Sequence, residues 1–324
     1  APALEVKATG RLADGRLAVE MKAEAPDAAT TSASLKAPLI FQLSPWRITL
    51  PPEGALEGGL DAVAQLAPMA KWIDMQHHRP EGVFTAKFNL EGVWQDPLLT
   101  GSATLDNVSY ENPESGTLLR NLNALLRATG DILELTRLET ADAADGRLSA
   151  SGHIRIGSGR HIPIDTTFEM KQIQMVRRDD LKAQVDGALR ITGTPDHAKI
   201  GGDLTLAPVY INLAPYLAAS QLPTIEVTEL NSASPREEPK AAMAAPIIEL
   251  DLQCRIPGRL FISAPVFDSE WQGNLHVTGG LDAPKIAGAM QVRRGHLDFL
   301  GRRFVLTDSI IQFGGQFPPE PYLN

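Results

Sequence analysis

Apolar and polar residues alternate along most of this 324-residue chain. From Ile248 to Ile256, for example, every second residue is apolar and charged or amide residues stand between them. This period of two indicates β-strands with one apolar and one polar face. Gly, Pro, Asp and Asn interrupt the runs, and Asp14-Gly15 is typical of a tight hairpin turn. The pattern predicts an all-β protein built from consecutive antiparallel strands.

A strand–turn–strand unit occurs three times in the sequence. Each copy has two glycines nine positions apart, a proline between them, and Leu or Ile two positions before the second glycine. Glycine tolerates backbone angles and close chain approaches that a side chain forbids. We therefore predict structural turns or close contacts at all six glycines, and a sheet extended by similar hairpins. The six residues are Gly92 and Gly101, Gly193 and Gly202, and Gly279 and Gly288.

Three stretches depart from the strand pattern. Apolar residues at 60–76 follow a helical period, interrupted by Pro68, and predict one short helix. Residues 25–34 are small and polar and read as a loop, and residues 229–246 are rich in Ser, Pro, Ala and charge and read as a linker. The chain then divides into N-terminal strands (1–55), the helix segment (56–80), repeated hairpins (81–228), the linker, and C-terminal strands (247–324).

Composition and charge exclude several classes of function. The net charge of −9 argues against a nucleic-acid partner, which would require a basic stripe. The single cysteine, Cys254, is in phase with the apolar positions, so we expect a buried thiol and no disulfide. No run approaches the roughly 18 apolar residues of a membrane helix.

We identify no catalytic or metal-binding motif. His77 and His78 are adjacent, so their side chains point apart, and no matched ligand spacing accompanies them. Asp96, Asp196 and Asp282 each lie in the loop of one repeat, where turn chemistry accounts for an aspartate. We therefore expect neither an enzyme nor a cofactor.

The ordered motifs near the C-terminus resemble a known family. Leu275–Gly288 combines alternating apolar residues with the Gly-Pro-Ile-Gly unit of the repeat, and Arg294-Gly295-His296-Leu297 follows it. Next come a turn and aromatic at Gly301–Phe304 and a strand ending in Ile311-Gln312-Phe313. This order resembles the C-terminal domain of TamB, the inner-membrane-anchored subunit of the translocation and assembly module of diderm bacteria. The chain would then be a fragment of a longer protein.

The one-sided strands alone allow two arrangements. The apolar faces could pack as a sandwich with a dry core, or the sheet could curl into a trough that stays open to a hydrophobic ligand. The resemblance implies the second: an elongated, curled antiparallel sheet with an apolar interior, related to bridge-like lipid-transfer proteins. The residues predicted to line the interior are Leu189, Ile191, Leu204, Leu206, Ile248, Leu250, Leu252, Leu275, Val277, Leu297, Phe299, Phe304 and Leu306.

The resemblance also implies a location and partners. Phospholipid acyl chains would occupy the groove in the periplasm, between the inner and outer membranes. An Omp85-type barrel, TamA or BamA, would lie at the C-terminal end, and the parent protein would be anchored in the inner membrane. Two alternatives stay open: a scaffold that offers sheet edges to outer-membrane β-barrels and autotransporters, and a structural spacer.

Overall fold

The computed structural model describes residues 4–43, 46–49, 51, 53–70, 78–156, 162–215 and 246–324, and β-strands dominate these ranges. The first ten strands are β1 (Glu5–Ala13), β2 (Arg16–Ala25), β3 (Ala29–Pro38), β4 (Ile40–Leu43), β5 (Trp46–Thr49), β6 (Glu57–Gln65), β7 (Arg79–Val93), β8 (Asp96–Asn112), β9 (Thr117–Gly130) and β10 (Ile132–Asp142). The remaining ten are β11 (Arg147–Arg155), β12 (Ile164–Arg177), β13 (Leu181–Gly193), β14 (His197–Asn212), β15 (Ile247–Ala264), β16 (Phe267–Gly280), β17 (Ala283–Phe299), β18 (Arg302–Val305), β19 (Ile310–Gly314) and β20 (Pro321–Leu323). The helix α1 spans Leu66–Ala70.

Eighteen of the strands form one sheet, and β4 and β5 form a separate hairpin. From β1 to β17 each strand of the large sheet pairs with the next one along the chain. The outer side of β17 is then covered by β18 and β19, and β20 pairs with β19. Among the described residues no pairing joins β1 to the other end. The predicted elongated, curled all-β sheet with one short helix is confirmed.

One strand pair is parallel, which corrects the prediction of a wholly antiparallel sheet. His197 lies beside Ile247 and Asn212 beside Ser263, so β14 and β15 run in the same direction. Parallel neighbours require a long crossover connection, and residues 213–246 supply one. The linker predicted at 229–246 falls within this connection. All of it except Pro246 lies outside the described residues, and the division of the chain into segments stays a prediction.

Two local predictions were wrong. The helix expected at 60–76 begins only at Leu66, because residues 57–65 form β6, and residues 71–77 lie outside the described ranges. Ala62 and Ala64 of β6 are buried in the sheet, so tertiary packing overrides the apparent helical period. The loop expected at 25–34 is mostly strand, since β3 starts at Ala29 and pairs with both β2 and β6.

A row of β-bulges bends the longest strands. Register shifts lie side by side in three consecutive pairs, after Thr205 of β14, between Ile256 and Leu260 of β15, and between Glu270 and Trp271 of β16. Further shifts occur in β8 after Leu105 and in β12 between Met170 and Ile173. A bulge bends its strand and increases the local twist, so the row adds to the curl of the sheet.

The six repeat glycines all have positive φ angles. The second glycine of each repeat also lies under an adjacent strand. A Cβ atom on Gly101 would stand 2.1 Å from the carbonyl oxygen of Lys87, and one on Gly202 would stand 2.1 Å from that of Ala188. Real Cβ atoms do not approach carbonyl oxygens so closely. These backbones therefore pair only because no side chain intervenes.

Replacing Gly101 with alanine should destabilise the sheet. Its φ of +134° and the 2.1 Å approach to Lys87 both oppose a side chain, so we expect Gly101→Ala to lower the free energy of unfolding by about 1–3 kcal/mol. Gly10→Ala is the matched control, because a Cβ there meets nothing within 4 Å. Urea unfolding monitored by circular dichroism measures both. Equal effects of the two substitutions would contradict this account of Gly101.

Candidate functional site

One face of the sheet is apolar from end to end. Cross-strand partners point to the same side of a sheet, so the register defines rows of side chains that cross many strands. One row joins Leu189 of β13, Gly202 of β14, Leu252 of β15, Val277 of β16 and Ile286 of β17. Parallel rows carry mainly Leu, Ile, Val, Phe, Ala and Gly. The apolar face is therefore continuous across strand boundaries.

The structure places the thirteen predicted lining residues on this face. Ile191 is paired with Ile200, Leu204 with Cys254, and Leu297 with Phe304. None of the thirteen is fully buried: eleven are partly buried, and Phe299 and Phe304 are 57% and 51% exposed. Those two lie at the sheet's C-terminal end, where the short strand β18 has no further neighbour among the described residues. Whether these side chains contact lipid stays a prediction.

A packed cluster occupies part of the same face beside the bulges. Trp271 is only 2% exposed, and it packs with other buried residues of β14–β17. The other members are Val209, Ile256, Leu260, Met290 and Val292. The Trp271 indole Nε1–H donates to Ser269 Oγ at 2.8 Å, and that hydroxyl donates to the carbonyl of Ile262 at 3.3 Å. Beside the bulges the apolar side chains are thus packed against one another and buried.

Toward the other end of the same strands the face is more open. Leu250, Leu252 and Val277 are only partly buried. A packed protein interior would exclude water from such side chains almost completely. The apolar face therefore offers a trough with a packed zone along its bulges and a partly exposed zone beside it.

Sequence reasoning missed several members of the face. Ala62, Ala86 and Ala103 form a buried cluster with Phe84, Phe88 and Leu126 around it. Alanine carries little hydrophobic signal, so only its alternation with Asp61, Lys87 and Ser102 could have revealed these positions. Trp271 is in phase with Leu275 and Val277 of the same strand, so the alternation could have revealed it.

The opposite face is polar and carries cross-strand ion pairs. Lys199 Nζ lies 2.7 Å from Asp251 Oδ2, and His276 Nε2 lies 2.9 Å from Asp251 Oδ1. Arg190 Nε donates to Asp165 Oδ1 at 2.8 Å. All of these side chains are substantially exposed, so each pair contributes little to stability by itself. The outer face is built to contact water.

These pairs shift the acidity of the aspartates. Hydrogen bonds from Lys199 and then His276 lower the pKa of Asp251 below its ordinary value of 3.8. The Arg190 guanidinium likewise lowers the pKa of Asp165, and that of Arg303 lowers the pKa of Asp298. On the apolar face, Cys254 is buried as predicted, and burial raises the pKa of its thiol. That thiol is therefore protonated at neutral pH and behaves as an apolar core group.

Other candidate chemistry finds little support in the arrangement. The part of the chain that the structure describes has no group of three His, Cys, Asp or Glu side chains that could hold a metal ion. His78 pairs with Tyr110 through Nδ1 and the phenol oxygen at 2.6 Å, and His77 lies outside the described ranges. No helix within the described ranges has both the length and the apolar character needed to span a membrane.

The lowered pKa values of the outer-face aspartates make the stability of the fold depend on pH. A lowered pKa in the folded state stabilises the fold above pH 3.8, and this contribution is lost as the pH falls through the folded-state value. We expect thermal stability to decline below about pH 4, and Asp251→Asn to make that decline shallower while lowering stability at pH 7. Differential scanning calorimetry between pH 2.5 and 7 measures this. Asp282→Asn is the control, because Asp282 is exposed and has no ion pair among the described residues. If both variants follow the wild-type profile, the Asp251 pairs carry no such linkage.

Comparison with known proteins assigns a family. The family model described as the TamB C-terminal domain matches residues 136–324. Protein TIC236, chloroplastic, from Arabidopsis thaliana is 24% identical over 152 residues, which cover 47% of this chain and 7% of that protein. The chain thus spans only a small part of the length of this relative. No solved structure matches the chain. Because the matching segment includes the repeats at 193–202 and 279–288 and the whole C-terminal strand series, the chain belongs to the TamB family through its C-terminal domain.

Proposed function

We propose that this chain is a lipid-transfer segment, in which the apolar trough shields phospholipid acyl chains while they cross an aqueous compartment. One observation carries the proposal. The apolar face is continuous across the sheet, yet none of its thirteen predicted lining residues is fully buried. A sheet that existed only to fold would gain free energy by closing over these side chains. An apolar ligand in the trough would supply the missing cover.

Acyl chains match the size and chemistry of the trough. Burying one CH₂ group is worth roughly 0.8 kcal/mol, so shielding a chain of about 16 carbons from water is worth on the order of 10 kcal/mol. Successive rows present similar aliphatic side chains, so a lipid would meet similar contacts at each step. No buried side-chain nitrogen or oxygen among the described residues lacks a hydrogen-bond partner, and so none needs a polar ligand. These features support sliding rather than fixed binding.

Membership of the TamB family supports a setting for this activity. The parent protein would be anchored in the inner membrane and extend through the periplasm, with an Omp85-type barrel such as TamA or BamA as its outer-membrane partner. The polar outer face and its ion pairs suit a segment surrounded by water. The mechanism would be passive, since a lipid would exchange one set of apolar contacts for a similar set as it moves along the trough.

Charged residues in the trough should abolish lipid binding. Leu250→Asp and Leu275→Asp place carboxylates on the partly exposed apolar face, where acyl chains cannot solvate them. We expect phospholipid to co-purify with the wild-type chain and to fall at least tenfold in each variant. Native mass spectrometry with lipid extraction of the same samples measures this.

Matched controls lie on the opposite face of the same strands, three residues from Leu250 and one residue from Leu275. Gln253→Asp in β15 and Asn274→Asp in β16 add the same carboxylate to the exposed polar face and should retain lipid. Circular dichroism must show that all four variants keep the β-sheet. A folded wild-type chain free of lipid would refute the groove, and so would equal lipid loss in the inward and outward variants.

A second function would use the edge of β1 that has no partner strand among the described residues. Eight of its nine residues, from Glu5 to Leu12, are exposed, and β2 is its only partner strand among the described residues. Such an edge presents unpaired backbone N–H and C=O groups to any extended chain. A scaffold for outer-membrane β-barrels or autotransporters would use this edge by β-augmentation.

Proline substitutions in β1 can distinguish the scaffold function from lipid binding in the groove. Along a strand, successive backbone N–H groups point alternately to one side and to the other. Proline at Lys7 or at Ala8 therefore removes an N–H group on opposite sides of β1. One of the two substitutions breaks a hydrogen bond to β2, and the other alters only the unpaired edge. Thermal unfolding identifies the variant that keeps its pairing with β2, because that variant unfolds at the wild-type temperature. The scaffold predicts that this variant loses cross-linking to an unfolded β-barrel substrate while retaining lipid. Unchanged cross-linking in that variant would exclude the β1 edge as the scaffold surface.

A further inference from the structure

Two aromatic side chains stand on the polar face of the sheet. Tyr210 of β14 and Phe261 of β15 are cross-strand partners. Leu260 and Ile262 pack with the cluster on the apolar face, so Phe261 between them points to the polar face, and its partner Tyr210 points to the same side. The two rings stack with their centroids 5.1 Å apart and their planes 16° apart. Neither the packed cluster nor the trough gives these rings a role.

A hollow opens in the polar face beside Phe261, and we name it the outer hollow. Its volume is about 510 Å³, which falls within the range of roughly 300–1,000 Å³ for small-ligand sites. The side chains around it include Phe261, Asp268, Glu270, Arg294, Arg303 and Val305. The register places Glu270 and Arg294 in the row of Phe261, and it places Asp268 in the row of Val305. The outer hollow therefore combines apolar surface at two diagonal corners with charged groups between them.

Positive and negative charges balance in and around the outer hollow. With histidine taken as neutral, three arginines stand against three carboxylates: Arg293, Arg294 and Arg303 against Asp268, Glu270 and Asp298. Arg294 Nε donates to Glu270 Oε2 at 2.5 Å. Arg303 Nε donates to Asp298 Oδ1 at 2.8 Å. A site for an anion or a cation would need an excess of the opposite charge. The balance favours an uncharged polar ligand.

Two polar side chains of the outer hollow keep free hydrogen-bonding groups. The Asp268 side chain is 63% exposed, and His296 Nε2, at 3.9 Å from Asp268 Oδ2, is beyond hydrogen-bonding distance. The Arg294 side chain is 78% exposed and donates one of its N–H groups to Glu270. Asp268 can therefore accept hydrogen bonds from the hydroxyl groups of a ligand, and Arg294 can donate hydrogen bonds to them.

We propose that the outer hollow binds an uncharged saccharide. A pyranose ring carries polarised C–H groups on its face and hydroxyl groups around its rim. The C–H groups would stack on the electron-rich face of Phe261, and the hydroxyls would bond to Asp268 and Arg294. Tyr210 stacks behind Phe261 and would hold that ring in position. An acyl chain fits poorly here, because it would leave the charged groups without hydrogen-bond partners.

Isothermal titration calorimetry of the full 324-residue chain with two hexasaccharides tests the proposal. Chitohexaose carries an acetamido methyl group on each ring, which can pack on Val305, and maltohexaose carries only hydroxyls. We expect the wild type to bind at least one of the two sugars. A preference for chitohexaose would assign the ligand to acetamidated glycans, and equal binding would assign recognition to the pyranose ring alone. A wild-type chain that binds neither sugar would overturn the saccharide site.

Substitutions at Phe261 distinguish stacking from burial of an apolar side chain. Phe261→Leu keeps an apolar side chain but removes the ring face, so we expect it to weaken saccharide binding about tenfold. Phe261→Tyr keeps the ring and should bind as the wild type does. Asp268→Asn should weaken binding about fivefold, because a charge-assisted hydrogen bond becomes a neutral one.

Two controls keep the outcome clear. Tyr322→Ala removes a ring that is 59% exposed on the same face, in β20 and outside the outer hollow, and should leave saccharide binding unchanged. Leu250→Asp should lose phospholipid from the trough and still bind saccharide, because the two surfaces lie on opposite faces of the sheet.

Thermal unfolding of each variant completes the test. A folded Phe261→Leu variant that binds saccharide as tightly as the wild type would show that the two rings only stabilise the pairing of β14 with β15. Equal losses in Phe261→Leu and Tyr322→Ala would likewise overturn the site. If Phe261→Leu unfolds, Asp268→Asn decides the outcome, because its exposed side chain can change without disturbing the sheet, and unchanged binding in that variant would contradict the proposal.

Discussion

Cross-strand register is the constraint on which the whole structure depends. In a single-layer sheet the apolar side chains of a strand are shielded mainly by the strands on either side. Leu252, for example, has Gly202 on one side and Val277 on the other. A slip of one residue would turn that whole strand's apolar set toward the polar face. The positive-φ glycines mark fixed positions in this register, since a slip would place a side chain where the neighbouring carbonyl oxygen now lies.

Bulges and glycines together convert that register into a curved surface. Beside the bulges around Trp271 the apolar side chains of β14–β17 pack into a buried cluster. Farther along the same strands, near Leu250, no such bend occurs and the side chains stay partly in water. One sequence pattern therefore produces a packed zone that stabilises the sheet and an open zone that can accept a ligand.

The sequence was sufficient to predict the features that depend on alternating apolar residues and on turn-forming residues. It identified the hairpin at Asp14-Gly15, the repeat glycines and the set of residues that share a face. It missed β3, because Thr, Ser and Ala occupy both faces of that strand and leave no contrast in polarity between them. It predicted helix at β6, because small residues fit a helical period as well as a strand period. The parallel pairing of β14 with β15 could not be predicted, since it depends on how a long connection returns across the sheet. Whether the face is open could not be predicted either, because the same alternation fills a sandwich or lines a trough.

The two proposed functions use different parts of the same open sheet. Lipid transfer uses side chains of the apolar face, and the scaffold uses backbone groups of the β1 edge. Closing the sheet into a barrel would remove both the edge and access to the face, whereas leaving it open exposes both at once. An open sheet thus cannot offer a groove without also offering edges. The scaffold activity could therefore follow from the architecture that lipid transfer requires, and only variants that alter one surface at a time can separate the two.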